Sequence, residues 1–150
     1  MLSSFFPLIQ YNLIIMDKIS EKHRSWNMSR IKSKNTKPEM RVRSMLHLMG
    51  YRFRLHDKNL PGKPDIILKK YNTIIFVHGC FWHRHFGCKY TYTPRTKIVF
   101  WENKFKINQK RDIENINLLQ ELGWNVRIIW SCETQNEELL RNKIINLMMF

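Results

Sequence analysis

Apolar residues recur at helical spacing in three stretches of the chain. The first stretch, residues 36–50, opens with the capping-box pair Thr36 and Glu39, which is typical of a helix N-terminus. Its apolar positions then repeat every three or four residues, at Val42, Met45, Leu46 and Met49. Similar spacing over residues 100–123 and 136–149 predicts a long helix and an amphipathic closing helix.

Four other stretches have the patterns of β-strands. Apolar and charged residues alternate over residues 51–57, as in a half-buried strand. Residues 65–70 and 73–79 are apolar runs separated by a Tyr-Asn pair, which predicts a hairpin. Residues 124–130 form a further apolar run after the long helix. A strand reached through a crossover helix usually lies parallel to a neighbour, so we predict an α/β fold with a mixed sheet flanked by helices.

The composition narrows the choice of partners. A length of 150 residues and a hydrophobic content of 43% allow one domain with a core. Lys and Arg number 26 against 12 acidic residues, which gives a formal charge of +14 and a pI near 10.0. The basic residues are spread along the chain, so we expect a polyanionic partner: nucleic acid first, an anionic membrane surface second.

The first residues differ from the rest of the chain. Residues 1–15 are apolar and uncharged, and Pro7 interrupts them. They lack the basic region and cleavage site of a signal peptide, and they are too short to span a bilayer. We expect Met16 to be the natural start, residues 1–15 to be a non-native or disordered extension, and residues 16–150 to form a single domain.

The segment HGCFWHRHFGC concentrates metal-binding side chains. Cys80, His83, His85 and Cys88 lie close together in it, and Cys132 follows the last predicted strand. Structural zinc takes four thiolate or imidazole ligands, so we predict a closed site of the three cysteines and one histidine. Spacing leaves the choice between His83 and His85 open. The odd cysteine count favours a metal in a reducing compartment over disulfides, although three free thiols beside surface histidines are the simpler alternative.

A second group of residues has the chemistry of hydrolysis. Asp65 opens one strand of the predicted hairpin and His78 ends the other, so both reach the same edge of the sheet. A carboxylate there is a suitable ligand for Mg²⁺, and a histidine beside it could exchange protons with an attacking water or a leaving group. Taken alone, Asp65 could simply end a turn and His78 could be an interior hydrogen-bonded residue.

Five segments together resemble the successive motifs of the very short patch repair (Vsr) endonucleases: NMSRIKSKNTKPE, LPGKPDIIL, FVHGCFWHRHFGC, FWENKFKINQKRD and LQELGWNVRIIWSC. The similarity runs from Asn27 to Cys132. It implies a restriction-endonuclease-like fold and Mg²⁺-dependent hydrolysis of the phosphodiester bond 5′ to the thymine of a T:G mismatch, the product of 5-methylcytosine deamination. The alternative is a non-catalytic, zinc-stabilised DNA-binding module, and an RNA-binding protein is disfavoured because no RNA-module signature is present.

The resemblance also implies roles for individual residues. It assigns catalysis to Asp65, His78 and His83, with Glu39 as a further candidate that could equally be only the capping-box acid. Asp65 and the backbone carbonyl of Val77 would hold Mg²⁺. The zinc ligands would be Cys80, His85, Cys88 and Cys132. His83 is then free for chemistry, and the HFGC loop, which is one residue longer than in some relatives, must bulge.

Contacts with DNA follow from the same resemblance. Met28, in the basic segment 24–36, would lie on a helix inserted into the minor groove, although this segment could also be an unfolded arm without DNA. Phe81, Trp82 and Trp101 would stack beside the mismatch, whereas we assign Phe100 to the core. We expect a monomer that acts on double-stranded DNA in the bacterial cytoplasm, without a membrane partner. Direct binding of mismatch-repair proteins is left open.

Overall fold

The computed structural model describes three parts of the chain: residues 20–30, 32 and 34–149. The predicted extension, residues 1–15, lies outside the described residues. The chain forms two compact units, residues 1–30 and 31–150. Within the described residues, no helix is long and apolar enough to cross a membrane.

The first unit contains one described helix, α1 (Glu21–Ser29). Ser20 caps this helix, because its hydroxyl accepts the backbone N–H of His23 at 3.2 Å. Trp26 is 50% exposed, and the guanidinium carbon of Arg30 lies 4.0 Å from the centre of its ring. Met28 lies on this helix and is half-buried. Part of the basic segment predicted to enter a groove of DNA is therefore helical.

The second unit consists of helices packed on a four-stranded sheet. Its elements, in chain order, are α2 (Lys37–Leu48), β1 (Arg54–Leu55), β2 (Ile66–Leu68), β3 (Thr73–His78), α3 (Cys80–His83), α4 (Ile98–Glu121), β4 (Asn125–Trp130) and α5 (Glu137–Met148). Short 3₁₀ turns follow β2 and β4, at Lys69–Tyr71 and Ser131–Thr134.

The sheet has the order β1-β2-β3-β4. Strands β1, β2 and β3 form antiparallel pairs, and the register aligns Ile66 with Ile75. Strand β4 runs parallel to β3 and aligns Trp130 with His78. Helix α4 is the crossover between these two strands, as a parallel connection requires. The predictions of an α/β class, a hairpin and a mixed sheet are confirmed.

Alternating side chains of the strands form a core on each face of the sheet. On one face, Ile66, Leu68, Ile75 and Ile129 pack against α2 and α5. The residues that α2 and α5 contribute are Val42, Met45, Leu46, Leu140, Ile144 and Met148. On the other face, the cluster consists of Ile67, Ile74, Phe76 and Leu119, the last of these from α4. Helices therefore cover both faces, and the sheet ends remain available for a site.

The predicted elements are present, with changes in length. Strand β1 has only two residues, because Tyr51 and Phe53 pack against the core before the chain pairs with β2. Helix α4 begins at Ile98, two residues before the predicted start. Phe100, assigned to the core from sequence, is 58% exposed. That assignment was wrong, because the buried face of α4 passes through Trp101, Phe105, Asn108 and Leu119.

Candidate active site and metal centre

A cleft of about 840 Å³ opens at one end of the sheet, and we call it the catalytic cleft. Its walls include Asp65, Val77, His78 and His83. The hairpin brings Asp65 to the end of β3, where the Val77 backbone N–H donates to Asp65 Oδ2 at 2.8 Å. The carboxylate is therefore fixed against the strand that carries His78.

The turn before Asp65 is held against helix α4. Gly62 of the LPGKPD motif has a φ of +71°, a conformation that residues with a side chain rarely adopt. A Cβ atom at this position would lie 3.0 Å from the side chain of Asn115 on α4. Glycine therefore allows the turn to approach the helix closely, which places Asp65 at the mouth of the cleft.

The two histidines of the cleft, His78 and His83, stack on one another and form the histidine pair. Their ring centroids are 3.9 Å apart and their planes differ by 11°. The single-turn helix α3, which sequence analysis did not predict, carries His83 back over the end of β3. His83 Nδ1 lies 2.6 Å from Oδ2 of Asp112 on α4. Asp112 was absent from the sequence-based assignment, because nothing in the local pattern of α4 distinguishes it from other polar positions.

Burial sets the protonation states at the floor of the cleft. It raises the pKa of Asp65 to about 6, although the Val77 N–H opposes the shift. Burial, reinforced by the charge of His83, lowers the pKa of His78 to about 4. His78 is therefore a neutral base near pH 7, and a cation beside Asp65 would favour its ionised form.

Glu39 is held by three donors. Its carboxylate accepts the Thr36 hydroxyl at 2.9 Å, the Asn35 backbone N–H at 2.9 Å and Arg43 Nη2 at 2.9 Å. The same Arg43 nitrogen lies 3.0 Å from Nε2 of His56, whose pKa is lowered by burial. Glu39 lines the catalytic cleft, but its carboxylate is engaged in the capping box and an ion pair.

Four side chains next to the cleft form the thiol–imidazole cluster: Cys80, His85, Cys88 and Cys132. Their potential ligand atoms all lie within 4.8 Å of one another. His85 Nδ1 is 3.6 Å from Cys80 Sγ and 3.3 Å from Cys132 Sγ. Tetrahedral zinc with ordinary bond lengths separates a sulfur and a nitrogen ligand by about 3.6 Å, so the spacing fits a bound ion.

The electrostatics of the cluster also favour a cation. Burial and the neighbouring thiols, Cys80 and Cys88, raise the pKa of Cys132 to about 12. Hydrogen bonds from Ser131 and Cys132 outweigh burial and lower the pKa of the Cys80 thiol. Without a cation Cys132 is therefore a neutral thiol near pH 7, and a bound metal ion would favour its thiolate form. His83 lies outside the cluster, because its ring faces Asp112 and His78 instead. In the HFGC segment, Gly87 has a φ of +69°, which allows the chain to turn between His85 and Cys88.

The predicted DNA-contacting aromatic residues lie in one group. Phe81 packs edge-on against Trp82, Trp101 and Phe105, at centroid distances of 5.1, 5.5 and 5.2 Å. Phe81 and Trp82 are half-buried, whereas Trp101 is only 6% exposed. The buried Asn108 side chain donates to the Trp82 carbonyl at 3.3 Å and ties α3 to α4. Trp101 therefore lies beneath Phe81 in the free protein.

Comparison with known proteins shows similarity to DNA endonucleases. Residues 16–89 match the sequence model of the family described as DNA mismatch endonuclease Vsr. The chain is 42% identical over 132 residues to the Type II nicking enzyme V.XorIIP of Xanthomonas oryzae, covering 88% of this chain and 96% of that protein. It is 42% identical over 122 residues to the DNA mismatch endonuclease Vsr of Escherichia coli, covering 81% and 78% of the two chains.

Three carboxylates, Glu39, Asp65 and Asp112, and three histidines, His56, His78 and His83, line the catalytic cleft. The similarity to named endonucleases and nicking enzymes shows that this chain, with its net charge of +14, is an endodeoxyribonuclease. Its DNA substrate accounts for the excess of Lys and Arg. The chain belongs to the DNA mismatch endonuclease Vsr family, and the resemblance found in the sequence motifs is confirmed.

Proposed function

We propose that this endonuclease nicks double-stranded DNA on the 5′ side of the thymine in T:G mismatches, with Mg²⁺ as its catalytic cofactor. The observation that carries the proposal is the Asp65 carboxylate, fixed by the Val77 N–H in a cleft shared with the histidine pair. The mixed sheet with helices on both faces supports a restriction-endonuclease-like fold. Deamination of 5-methylcytosine would supply the mismatch, and the reaction would start its repair.

Asp65 and the carbonyl of Val77 are the proposed magnesium ligands. Among the described residues, Asp65 Oδ1 makes no hydrogen bond, and oxygen donors are the ligands that Mg²⁺ prefers. When bound, Mg²⁺ would stabilise the negative charge that develops on the phosphodiester and lower the pKa of a coordinated water. The parallel pairing of Val77 with β4 fixes the backbone at this position.

The histidine pair is the proposed source of proton transfer. An ionised carboxylate accepts hydrogen bonds and cannot donate them. The contact between His83 Nδ1 and the Asp112 carboxylate therefore assigns the His83 proton to Nδ1, which leaves Nε2 for the substrate. His78 is neutral near pH 7 and can accept a proton. Glu39 was a catalytic candidate from sequence. Its three donors favour a role in positioning the cleft wall over proton transfer.

The thiol–imidazole cluster is the proposed site of a structural zinc ion. Three thiolates and one imidazole form a closed tetrahedral set with no position left for a substrate. Such a site would tie the loop that carries His83 to the end of β4, where Cys132 lies. We propose that zinc holds the cleft together and takes no part in hydrolysis.

Recognition of the mismatch is assigned to the aromatic group and to α1. Phe81 and Trp82 are half-buried on the single-turn helix α3, where stiff side chains can unstack a base step. A mismatched step costs least to unstack, which would favour T:G over paired DNA. We propose that Trp101 supports Phe81 in the free protein and contacts DNA after the group opens, with Met28 entering the minor groove.

The proposed setting is a monomer in the bacterial cytoplasm, and binding of mismatch-repair proteins is left as a candidate interaction.

The deciding experiment uses three 5′-labelled duplexes that are identical except for a central T:G, T:A or C:G pair. We expect the purified chain to nick the thymine strand of the T:G duplex on the 5′ side of the thymine, with Mg²⁺ and not with EDTA. Zinc content is measured in the same samples, so that loss of zinc to EDTA is recognised. Binding without nicking of the T:G duplex would instead support a DNA-binding module.

Replacement of His83 and of His85 should give opposite results. His83→Ala is expected to reduce single-turnover cleavage by about 10²–10⁴-fold with little change in zinc content, because it removes a proton-transfer group. His85→Ala is expected to lose zinc and thermal stability first. Metal analysis, thermal melts and cleavage on both variants test this. Retained zinc in His85→Ala, with zinc lost from His83→Ala, would exchange the two assignments.

Binding of DNA should depend strongly on salt. Each neutralised phosphate contributes about −0.9 to the slope of log K against log salt, so contact with six phosphates gives a slope of about −5. Fluorescence anisotropy of a labelled T:G duplex between 50 and 200 mM KCl, the range over which such contacts weaken binding, measures this slope. A slope near zero would contradict a phosphate-binding role for the basic side chains.

A further inference from the structure

Trp130 lies between the thiol–imidazole cluster and the histidine pair. The His85 ring stacks on the indole of Trp130 with centroids 4.3 Å apart and planes within 3°. The ring of His78 meets the same indole edge-on at 5.5 Å. His78 in turn stacks on His83, whose Nδ1 contacts Asp112. A continuous series of aromatic rings therefore joins the two sites.

The backbone fixes the position of this indole. Trp130 is the last residue of β4, and the parallel register places it beside His78. Its backbone N–H donates to Glu133 Oε2 at 2.8 Å, and Ser131 and Cys132 follow directly in the chain. The side chain is half-buried and is not among those that line the catalytic cleft. Any effect of Trp130 on catalysis is therefore transmitted through its neighbours.

The orientation of His78 depends on ring packing. His78 is 7% exposed, and its ring makes no hydrogen bond to any described residue. Its ring contacts are His83 on one face, Trp130 at an edge and Phe76 at 5.6 Å. An imidazole without a hydrogen-bonded partner can turn when one of its packing neighbours is removed. His83, by contrast, is also held by Asp112.

We propose that Trp130 is a positioning residue that couples the zinc site to the histidine pair. A ligand imidazole held on zinc fixes one face of the indole, and the edge of the indole then fixes His78 against His83. The expected effect of Trp130 on cleavage rests on the proposed function. Its structural part, a coupling between His85 and His78, holds whether or not the DNA substrate is a T:G mismatch.

The test compares Trp130→Leu and Trp130→Phe with the matched variants Trp124→Leu and Trp124→Phe. Trp124 packs against the core cluster under α4, at the other end of the same strand. Trp130→Leu is expected to lower single-turnover cleavage by about 10–100-fold, because small displacements of reacting groups have effects of this size. It is also expected to weaken zinc binding by about 10-fold in competition with a chelator, as other supports of ligand histidines do.

Three results distinguish positioning from general destabilisation. Trp130→Phe should recover most of the cleavage rate, because a phenyl ring preserves part of the stacking, and affinity for DNA should stay unchanged throughout. Imidazole NMR signals of both His78 and His85 should shift in Trp130→Leu and remain in place in Trp124→Leu. Equal losses of rate in the two leucine variants at equal melting temperature would overturn the proposal, as would unchanged zinc affinity in Trp130→Leu. Absence of T:G nicking by the unaltered chain, with the zinc and NMR results as expected, would overturn the proposed function alone.

Discussion

Asp65→Asn is expected to abolish cleavage while leaving the fold and DNA binding intact. The amide has nearly the same volume as the carboxylate, and its oxygen can still accept the Val77 N–H. It lacks the negative charge that a divalent cation requires, and loss of about 4 kcal/mol of transition-state stabilisation corresponds to roughly a 1,000-fold lower rate. Single-turnover nicking and anisotropy with the same T:G duplex measure the two properties separately.

Asp57→Asn is the matched control for this substitution. Asp57 lies eight residues before Asp65, accepts the backbone N–H of Asn59 at 3.0 Å and is not one of the residues lining the cleft. We expect its nicking rate to stay within about 3-fold of the unaltered chain, because ordinary surface changes have small effects. An Asp65→Asn protein that cuts at nearly the unaltered rate would show that the metal lies elsewhere.

Cys132→Ser is expected to act on folding. The serine hydroxyl is a poor zinc ligand, and the binding energy of a structural zinc ion is part of the folding energy. A loss of about 3 kcal/mol or more would lower the Tm of a chain of this size by roughly 10 °C. We expect less than one zinc per chain, poor soluble yield and a lower Tm, measured by metal analysis and thermal melts.

Comparison with other variants makes this second result specific. Cys80→Ser and Cys88→Ser should have the same phenotype, because the three thiols surround one position. Asp65→Asn should retain full zinc content, since Asp65 contacts Val77 and lies outside the thiol–imidazole cluster. A Cys132→Ser protein with one zinc per chain and an unchanged Tm would remove Cys132 from the ligand set.

Sequence predicted the elements whose signals are local. Thr36 and Glu39 mark the start of α2 because a capping box satisfies backbone donors within one turn. The pairing of β2 with β3 follows from two apolar runs separated by a short turn. Strand β1 was predicted too long, because alternation alone does not determine where a neighbouring strand begins to pair.

Sequence predicted the candidate site residues that lie close together in the chain. It did not predict contacts between residues on distant elements. The closeness of Cys80, His85 and Cys88 along the chain reflects a loop that turns back on itself. Asp112 was missed because its contact with His83 depends on how α4 packs across α3. The exposure of Phe100 and the burial of Trp101 depend on how α4 is rotated about its axis. Apolar residues lie on several faces of α4, so its sequence does not show which face is buried.

The parallel pairing of β3 with β4 has a consequence for synthesis of the protein. Asp65, the histidine pair and two of the thiols leave the ribosome well before β4, which follows the long helix α4. Until β4 is made, the nascent chain lacks both Trp130 and Cys132, so neither the ring series nor the thiol–imidazole cluster can be complete. Assembly of the thiol–imidazole cluster and of the cleft is therefore a late event, and a nascent chain that stops within α4 is not yet a nuclease.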